Sequence, residues 1–322
     1  MDPYRHRWTI RMSKYKQLDF NKVKTYPIKN RKNKVSLSDF SSPVGKNPTM
    51  AQFLKSLPDI LSAREFIQFL EKYHSAIKNH APVIVMMGAH VAKVGLNPII
   101  IDAIKHGWIT HLALNGAGAI HDLEIALQGA TSEDVGKNLV DGSFGMVQET
   151  AEIMNHAIAS AKKDSGYGET IAKAIADGEF PYKTNSLLFQ AYTCGIPVTV
   201  HSAMGTEVIH QHGSVDGAAT GSLSYNDFRI FTHSVSKINE HSIVMNIGSA
   251  VILPEIFLKA LTVVRNLGYN AFNFTSATFD MIRHYRPVVN VLERPVKPRG
   301  LGYYFIGHHE LMLPLLYAAL KS

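Results

Sequence analysis

Short apolar runs recur along most of this chain, and most are followed by a stretch with helical periodicity. "PVIVMM" (82–87) and "THLALN" (110–115) read as strands buried on both faces. Between them "NPIIIDAIKHG" (97–107) reads as a helix, with Pro98 in its first turn and Gly107 at its end. "GAIHDLEIALQG" (118–129) is a second helical pattern, and a longer one covers roughly 49–79. The strand type returns in "IPVTVHS" (196–202), "SIVMNIG" (242–248), "AFNFTS" (271–276) and "GYYFIG" (302–307), with helical patterns at 185–194, 249–267 and 308–320. Apolar strands separated by helices call for a parallel sheet covered on both sides. The chain is therefore predicted to adopt a Rossmann-like, doubly wound α/β fold with a mostly parallel sheet. Residues 130–184, with Gly/Asp/Lys-rich turns and two helical patterns, read as a helical insertion between the halves of that sheet.

Ahead of this pattern lies a basic arm, assigned to residues 1–45, with the α/β domain over 46–322. Residues 1–40 carry 11 Lys/Arg against three Asp, a balance of +8; with a net charge of +7, the remainder sums to −1. The arm is either a solvated extension lying across a neighbouring subunit or an anion- or RNA-binding tail. No nucleic-acid fingerprint accompanies it, which disfavours nucleic acid as a partner. An apolar fraction of 46% with 18% charged residues is that of a soluble globular chain. No run approaches the roughly 18 apolar residues of a membrane span, and the basic N-terminus lacks a signal peptide's apolar segment. A cytoplasmic protein is expected. The single cysteine, Cys194, excludes an internal disulfide framework and a multi-cysteine zinc site; it reads as a small buried hydrophobe.

In a doubly wound sheet, ligands bind beyond the carboxyl ends of the strands. Here those positions read Gly88-Ala89-His90, Asn115-Gly116-Ala117-Gly118, His201-Ser202-Ala203-Met204-Gly205-Thr206, Asn246-Ile247-Gly248-Ser249-Ala250 and Thr275-Ser276-Ala277. Small residues let phosphates and ribose approach backbone N–H groups, and a following helix N-terminus favours negative charge. Small residues also serve close packing of helix on strand. None of these loops is a G-x-G-x-x-G with an acidic residue about 20 positions on. Both readings, nucleotide loop and packing turn, stand at this point.

Several segments carry a family resemblance. "GLNPIIIDAIKHGWITHLALNGAGAIHDLEIAL" (95–127) resembles the deoxyhypusine synthase pattern "D-V-L-V-T-T" followed by "A-G-G-V-E-E-D-L-I-K". "NSLLFQAYTCGIPVTVHSA" is similar to that family's helix and "I-P-V-F-S-P-A" strand, and "GSLSYNDFRIFTHS" (221–234) to "D-G-S-L-G-D-M … F-H-S". "NLGYNAFNFTSATFD" (266–280) resembles "N-G-A-D-Y-A-V-Y-I-N-T-A-Q-E-F-D", and "GHHELMLPLLYAAL" (307–320) falls where the family has "A-D-A-S-L-V-F-P-L-L". These segments cover most of 82–320 in the family's order.

The resemblance implies a Rossmann-like NAD-binding domain in a homotetramer, with cofactor and polyamine held at a subunit interface. It implies oxidation of a polyamine by NAD and capture of the aminobutyl group by a lysine. It assigns cofactor contacts to Gly88, Ala89, His90, Asn115, Gly116, Ala117, Gly118, Thr275, Ser276 and Ala277. Asn246, Gly248 and Ser249 stand in place of a triple glycine, and His121-Asp122 in place of a glutamate pair. The family's "S-W-G-K" lysine run is missing; the nearest candidate is Lys297 in "ERPVKPRGLG", near Arg294 and Arg299. Asp227 and Asp280 are the candidate substrate-binding carboxylates, with Asp216 a further acid in the same region.

The histidines open a second reading. His201, Glu207, His210 and His212 lie close together in sequence, and His90, His121 and His308 belong to neighbouring strand ends. Such a set suits general acid–base catalysis, and His with carboxylate also suits a metal, although no metal motif is present and no metal ligand is assigned. His201, Glu207, His210, His308 and Lys297 are thus the catalytic candidates. Trp8 falls in the arm, Trp108 and the Met86-Met87 pair read as packing residues, and "DSGYGET" (164–170) reads as a loop with helix-capping signals. The expected function is an NAD-dependent transferase or oxidoreductase acting on a polyamine or related amine. The alternatives are a His-dependent, metal-assisted hydrolase or lyase and a noncatalytic nucleotide-binding oligomer.

Overall fold

A computed structural model describes residues 13–322; Trp8 lies outside the described residues. The chain divides into two units, Met1–Asp39 and Phe40–Ser322. The described part of the first unit consists of short 3-10 turns at Phe20–Lys22, Ile28–Asn30 and Leu37–Asp39, none of which buries a residue.

The second unit begins with helices α1 (Met50–Ser56) and α2 (Leu61–Lys78). Thr49 and Gln52 form a reciprocal capping box that starts α1. Strand β1 (Val83–Met87) leads through α3 (His90–Lys93) and α4 (Asn97–Lys105) to β2 (His111–Asn115) and α5 (Gly116–Gln128). Three helices follow, α6 (Val135–Asp141), α7 (Gln148–Ala159) and α8 (Tyr167–Asp177), one more than the sequence suggested for 130–184. Then come α9 (Leu187–Thr193), β3 (Val198–His201), α10 (Gly217–Val235), β4 (Ile243–Ile247) and α11 (Ile252–Asn266). The chain ends with β5 (Thr275–Asp280), α12 (Tyr285–Pro287), a π-helical turn at Val288–Glu293, β6 (Leu301–Ile306) and α13 (His309–Leu320).

The six strands form one sheet in the order β3-β2-β1-β4-β5-β6, and every pair is parallel. Register sets Val85 beside Leu112 on one side and Met245 on the other. Alternation then sends Val83, Val85 and Met87 into one core, with Phe69, Leu123, Ile171 and Leu313. Ile84 and Met86 enter the other core, with Phe231, Phe257 and Val291. Both faces are covered, which is why the strands read as nearly unbroken apolar runs.

Two expectations are corrected here. The fifth strand occupies Thr275–Asp280 and not 271–276. Asn273 adopts a left-handed φ of 62°, which breaks the extended run, and Ala271 and Phe274 are instead buried ahead of the strand. The small residues of "TSATFD" fit a central strand crowded by the π-helical turn, where Ser276 Oγ donates to Val291 O at 2.8 Å. Cys194 is exposed because it ends α9 at the surface as its C-cap residue.

Candidate functional site

With all strands parallel, their carboxyl ends share one edge, and the strand order reverses between β1 and β4, the usual place for a ligand crevice. Gly88 and Gly248 meet there. Gly88 N–H donates to Ile247 O at 2.8 Å and Gly248 N–H to Phe279 O at 3.0 Å, so the ladder continues past the strands. A Cβ on Gly88 would lie 2.1 Å from Gly248 O, so this glycine is required by close backbone approach. Gly248, at φ +63°, packs under the ring of His309. That ring lies 5.4 Å from the ring of His90 and hydrogen-bonds through Nε2 to Phe279 O. Burial lowers the His309 pKa, the Phe279 carbonyl opposing, so the ring is held neutral.

Around this junction several buried polar atoms have no hydrogen-bond partner within the protein: Asn246 Oδ1, Thr278 Oγ1 and His309 Nδ1. Asn246 and Thr278 are direct neighbours in the β4–β5 register, so their side chains share a face. Asn246 Nδ2 is used, donating to Ser249 O at 3.0 Å.

The second strand end is built differently. Asn115 caps α5 by accepting from Gly118 N–H at 3.0 Å, so the first turn is locked by its own side chain. Gly116 faces the Glu207 carboxylate: an added Cβ would lie 1.9 Å from Glu207 Cδ. The loop glycine thus makes room for a carboxyl group supplied by this chain. Glu207 is nearly fully buried, and its Oε1 accepts from Ala203 N–H at 3.0 Å. Its Oε2 accepts from Ser202 Oγ at 3.1 Å and lies 3.4 Å from His210 Nε2. Burial drives the carboxyl up to about 7, against the pull of those two donors.

Gly205 N–H donates to His210 Nδ1 at 3.2 Å, which makes Nδ1 the acceptor and puts the neutral ring's proton on Nε2. His210 therefore cannot take a proton from Ser202, whose hydroxyl donates straight to Glu207. This Ser-His-Glu group is arranged around Glu207 as proton acceptor, not as a serine nucleophile with a histidine base.

A cavity of about 340 Å³ opens beside it, lined by α5 from Ala117 to Gln128, by Lys93, by Thr131–Glu133 and by Thr206–Val208. It sits beyond the ends of β1, β2 and β3. Glu124, Glu133 and Glu207 give it three carboxylates, against Lys93 as the lining lysine. Thr131 Oγ1 donates to Glu124, so it accepts from His121 Nδ1 at 2.7 Å. For Glu124, burial works to raise the pKa, but the His121 and Thr131 contacts outweigh it and leave the carboxyl below its usual range. Glu133 accepts from Gly145 N–H at 2.9 Å and from Asn138 Nδ2 at 2.6 Å.

Other sequence candidates are redirected. His201 lies on the opposite face of β3 from the Val200 core, because strand side chains alternate. It joins a buried chain, Ser234–His111–Thr199–His201, packed on Phe231, and burial lowers both rings to about 3. His212 donates to Gly145 O at 2.8 Å. Asp227 is wholly buried, with Oδ2 accepting from Gly168 N–H at 2.8 Å and Val200 N–H at 2.6 Å, so it ties α8 to β3 and meets no open cavity. Asp216 is the N-cap of α10. Asp122 accepts from Leu187 N–H, Leu188 N–H and Asn97 and so anchors α9.

Lys297 precedes β6 and Thr275 opens β5, at the amino edge of the sheet away from the ligand side, while Ser276 is bonded to Val291 O and Ala277 pairs with Met245 in the core at mid-strand. His308 is exposed beside Glu310, while His309, its unselected neighbour, is buried at the junction. Asp280 ends β5 on the ligand side, with His284 Nε2 at 3.8 Å from its Oδ2. Sequence reasoning did not select His309, Lys93, Glu124, Glu133 or Thr278, and quoted Ser202 only within the run after the third strand. Only Glu124 had a visible signal, its i,i+3 spacing from His121. Among the described residues, no group of three or more His, Cys, Asp or Glu is placed to hold a metal ion, and no helix is long and apolar enough to cross a membrane.

No protein-family model and no curated protein matches the chain. Solved structures do. A candidate deoxyhypusine synthase from Entamoeba histolytica superposes with a TM-score of 0.52 at 10% identity, covering 85% of this chain and 93% of its own. AgrE in ternary complex with ornithine and NAD+ superposes with a TM-score of 0.52 at 13% identity, covering 83% of this chain and 34% of that one. An AgrE mutant bound to L-arginine gives a TM-score of 0.51 at 14% identity, covering 80% of this chain and 31% of that one. The chain thus spans about a third of the length of AgrE. Its fold is Rossmann-like and deoxyhypusine synthase-like.

Proposed function

We propose that this chain is an NAD-dependent enzyme acting on an amine, a transferase or oxidoreductase of deoxyhypusine synthase type with a rebuilt active site. The observation that carries this reading is the cavity at the ends of β1–β3, with three carboxylates against one lysine. A surplus of negative charge in an enclosed site selects a cationic ligand. The fold adds support, because the AgrE structure of like fold holds NAD+ and ornithine.

The residues fit a dinucleotide unevenly. Asn246, Thr278 and His309 offer buried hydrogen-bonding atoms with no protein partner, suited to a carboxamide or ribose hydroxyl, with Ser249 and His90 beside them. The Asn115–Gly118 turn does not suit a phosphate, since the Glu207 carboxylate fills the approach to Gly116. The bound cofactor would supply the hydride acceptor. Glu207, titrating near 7, takes the proton from the substrate ammonium, while Glu124 and Glu133 hold the cation. A cytoplasmic homotetramer belongs to the same reading, and light scattering would check the assembly.

The test is reduction of NAD by the purified chain with a panel of diamines, polyamines and basic amino acids. Turnover that Glu207→Gln lowers at least a hundredfold is expected. Dinucleotide binding without turnover on any amine would favour the noncatalytic nucleotide-binding oligomer, and no binding of either ligand would sink the proposal.

A further inference from the structure

The sheet has two flanking strands, β3 and β6, and they are finished differently. Parallel pairing turns every second residue of a flanking strand outward. On β3, Pro197 O accepts from Leu112 N–H, so the outward residues are Val198, Val200 and Ser202. All three are covered. Val200 N–H donates to Asp227 Oδ2 at 2.6 Å and Ser202 N–H to Ser224 Oγ at 3.1 Å. α8 packs so closely on Val198 that a Cβ on Gly168 would lie 2.2 Å from the Val198 carbonyl oxygen. No strand can add to that flank.

β6 is the opposite case. Leu301 N–H donates to Phe274 O at 3.3 Å and Gly307 N–H to Asp280 O at 3.0 Å, so Gly302, Tyr304 and Ile306 turn outward. Their backbone N–H and C=O groups have no hydrogen-bond partner among the described residues. The strand also lacks the devices that blunt a free flank: Leu301–Ile306 holds no charge and no proline, and its register with β5 is unbroken. Leu301, Gly302 and Ile306 are exposed, and Ile282 and Leu311 add exposed apolar side chains on the segments that follow β5 and β6.

We propose that β6 pairs antiparallel with β6 of a second copy of this chain, joining the two sheets across a twofold axis at Tyr304. Centred there, Tyr304 faces itself and Gly302 faces Ile306, so every outward amide and carbonyl of the strand is used. Other registers waste groups. One sets Ile306 against Gly300, whose N–H already donates to Val296 O at 2.7 Å, and another sets Gly302 against His308, beyond the strand. The opposed pair also fits in size, a branched side chain beside a glycine. Charge selects the antiparallel direction: exposed Lys297 and Arg299 precede the strand and exposed Glu310 follows it, so the basic end of one copy meets the acidic end of the other. This interface goes beyond the amine-enzyme reading and supplies one twofold contact of an oligomer.

Light scattering of the full-length chain over a concentration series, with amide hydrogen exchange resolved by residue, tests it. A mass of two chains or a multiple of two is expected, with the Gly302, Tyr304 and Ile306 amides slowing as the assembly forms. Ile306→Lys sets a charge on the flank near Arg299 of the second copy and should raise the dissociation constant of this contact about a hundredfold, with a native circular dichroism spectrum. Arg299→Glu should weaken the contact too, and adding Glu310→Arg should restore it, which a folding defect would not allow. A monomer at every concentration, an assembly unaffected by Ile306→Lys, or a charge swap that fails to restore pairing overturns the proposal. NAD binding and amine turnover by such a protein would leave the proposed function standing.

Discussion

Burial raises the Glu207 carboxyl from 4.5 to about 7, although Ala203 and Ser202 both donate to it. Below about 4.5 the group is protonated in folded and unfolded chains alike and contributes no difference. As pH rises the unfolded chain releases its proton first, so folding carries a growing penalty that is complete above about 7. Glu207→Gln is therefore expected to equal the native chain in stability near pH 4 and exceed it by about 3 kcal/mol at pH 8. Urea unfolding across that range reads the difference; parallel curves would show that the carboxyl titrates normally. Asp227 is also raised by burial, to about 8, but its role is to satisfy two buried amides. Asp227→Ala leaves both N–H groups unpaired and should cost about 2–5 kcal/mol, whereas Asp227→Asn keeps one acceptor and costs less. Ligand titration with Asp227→Asn should match the native chain, since Asp227 does not line the cavity.

At the scale of elements, two glycines at two strand ends separate packing from site chemistry. A methyl on Gly88 meets a backbone oxygen at the centre of the sheet, where neither β1 nor β4 can yield. Gly88→Ala is expected to destabilise the fold by about 3 kcal/mol. A methyl on Gly116 meets the end of the Glu207 side chain, which can swing aside. Gly116→Ala should cost only about 1 kcal/mol but displace the proton acceptor, moving the pH dependence of turnover. Equal losses of stability in the two variants would refute the distinction. The order of elements was legible in the sequence because strands covered on both faces lack polar alternation, as in Val83–Met87. β5 was misread because its buried residues are small and hydroxyl-bearing, and only its neighbours β4 and β6 make that strand central. The site was less legible for a related reason. His201 faces α10 by strand alternation, His309 rather than His308 turns inward at the start of α13, and Glu124 and Glu133 are joined by folding of the insertion. Alternation along β3 and the i,i+3 spacing of His121 and Glu124 are local, but which face meets the cavity is decided by the packing of distant elements.

At the scale of the whole molecule, one sheet with two covered faces leaves its carboxyl edge as the place where polar side chains from several strands converge. Protein contacts complete most of that edge. At the β4–β5 end they do not: Thr278 is fully buried and its hydroxyl has no partner in the chain. A buried hydroxyl without a partner costs stability, so Thr278→Val is expected to raise the stability of the ligand-free chain by about 1 kcal/mol. A dinucleotide that completes the hydroxyl changes the balance. Saturation at a hundredfold excess over Kd stabilises a native chain by about 2.7 kcal/mol, and this gain falls when the ligand's contact is removed. Thr278→Val should thus melt higher than the native chain without NAD and gain less from its addition. Opposite signs in the two conditions separate a ligand contact from a packing defect. A variant that gains stability without NAD and responds fully to it would assign Thr278 to packing alone and leave Asn246 and His309 to hold the cofactor.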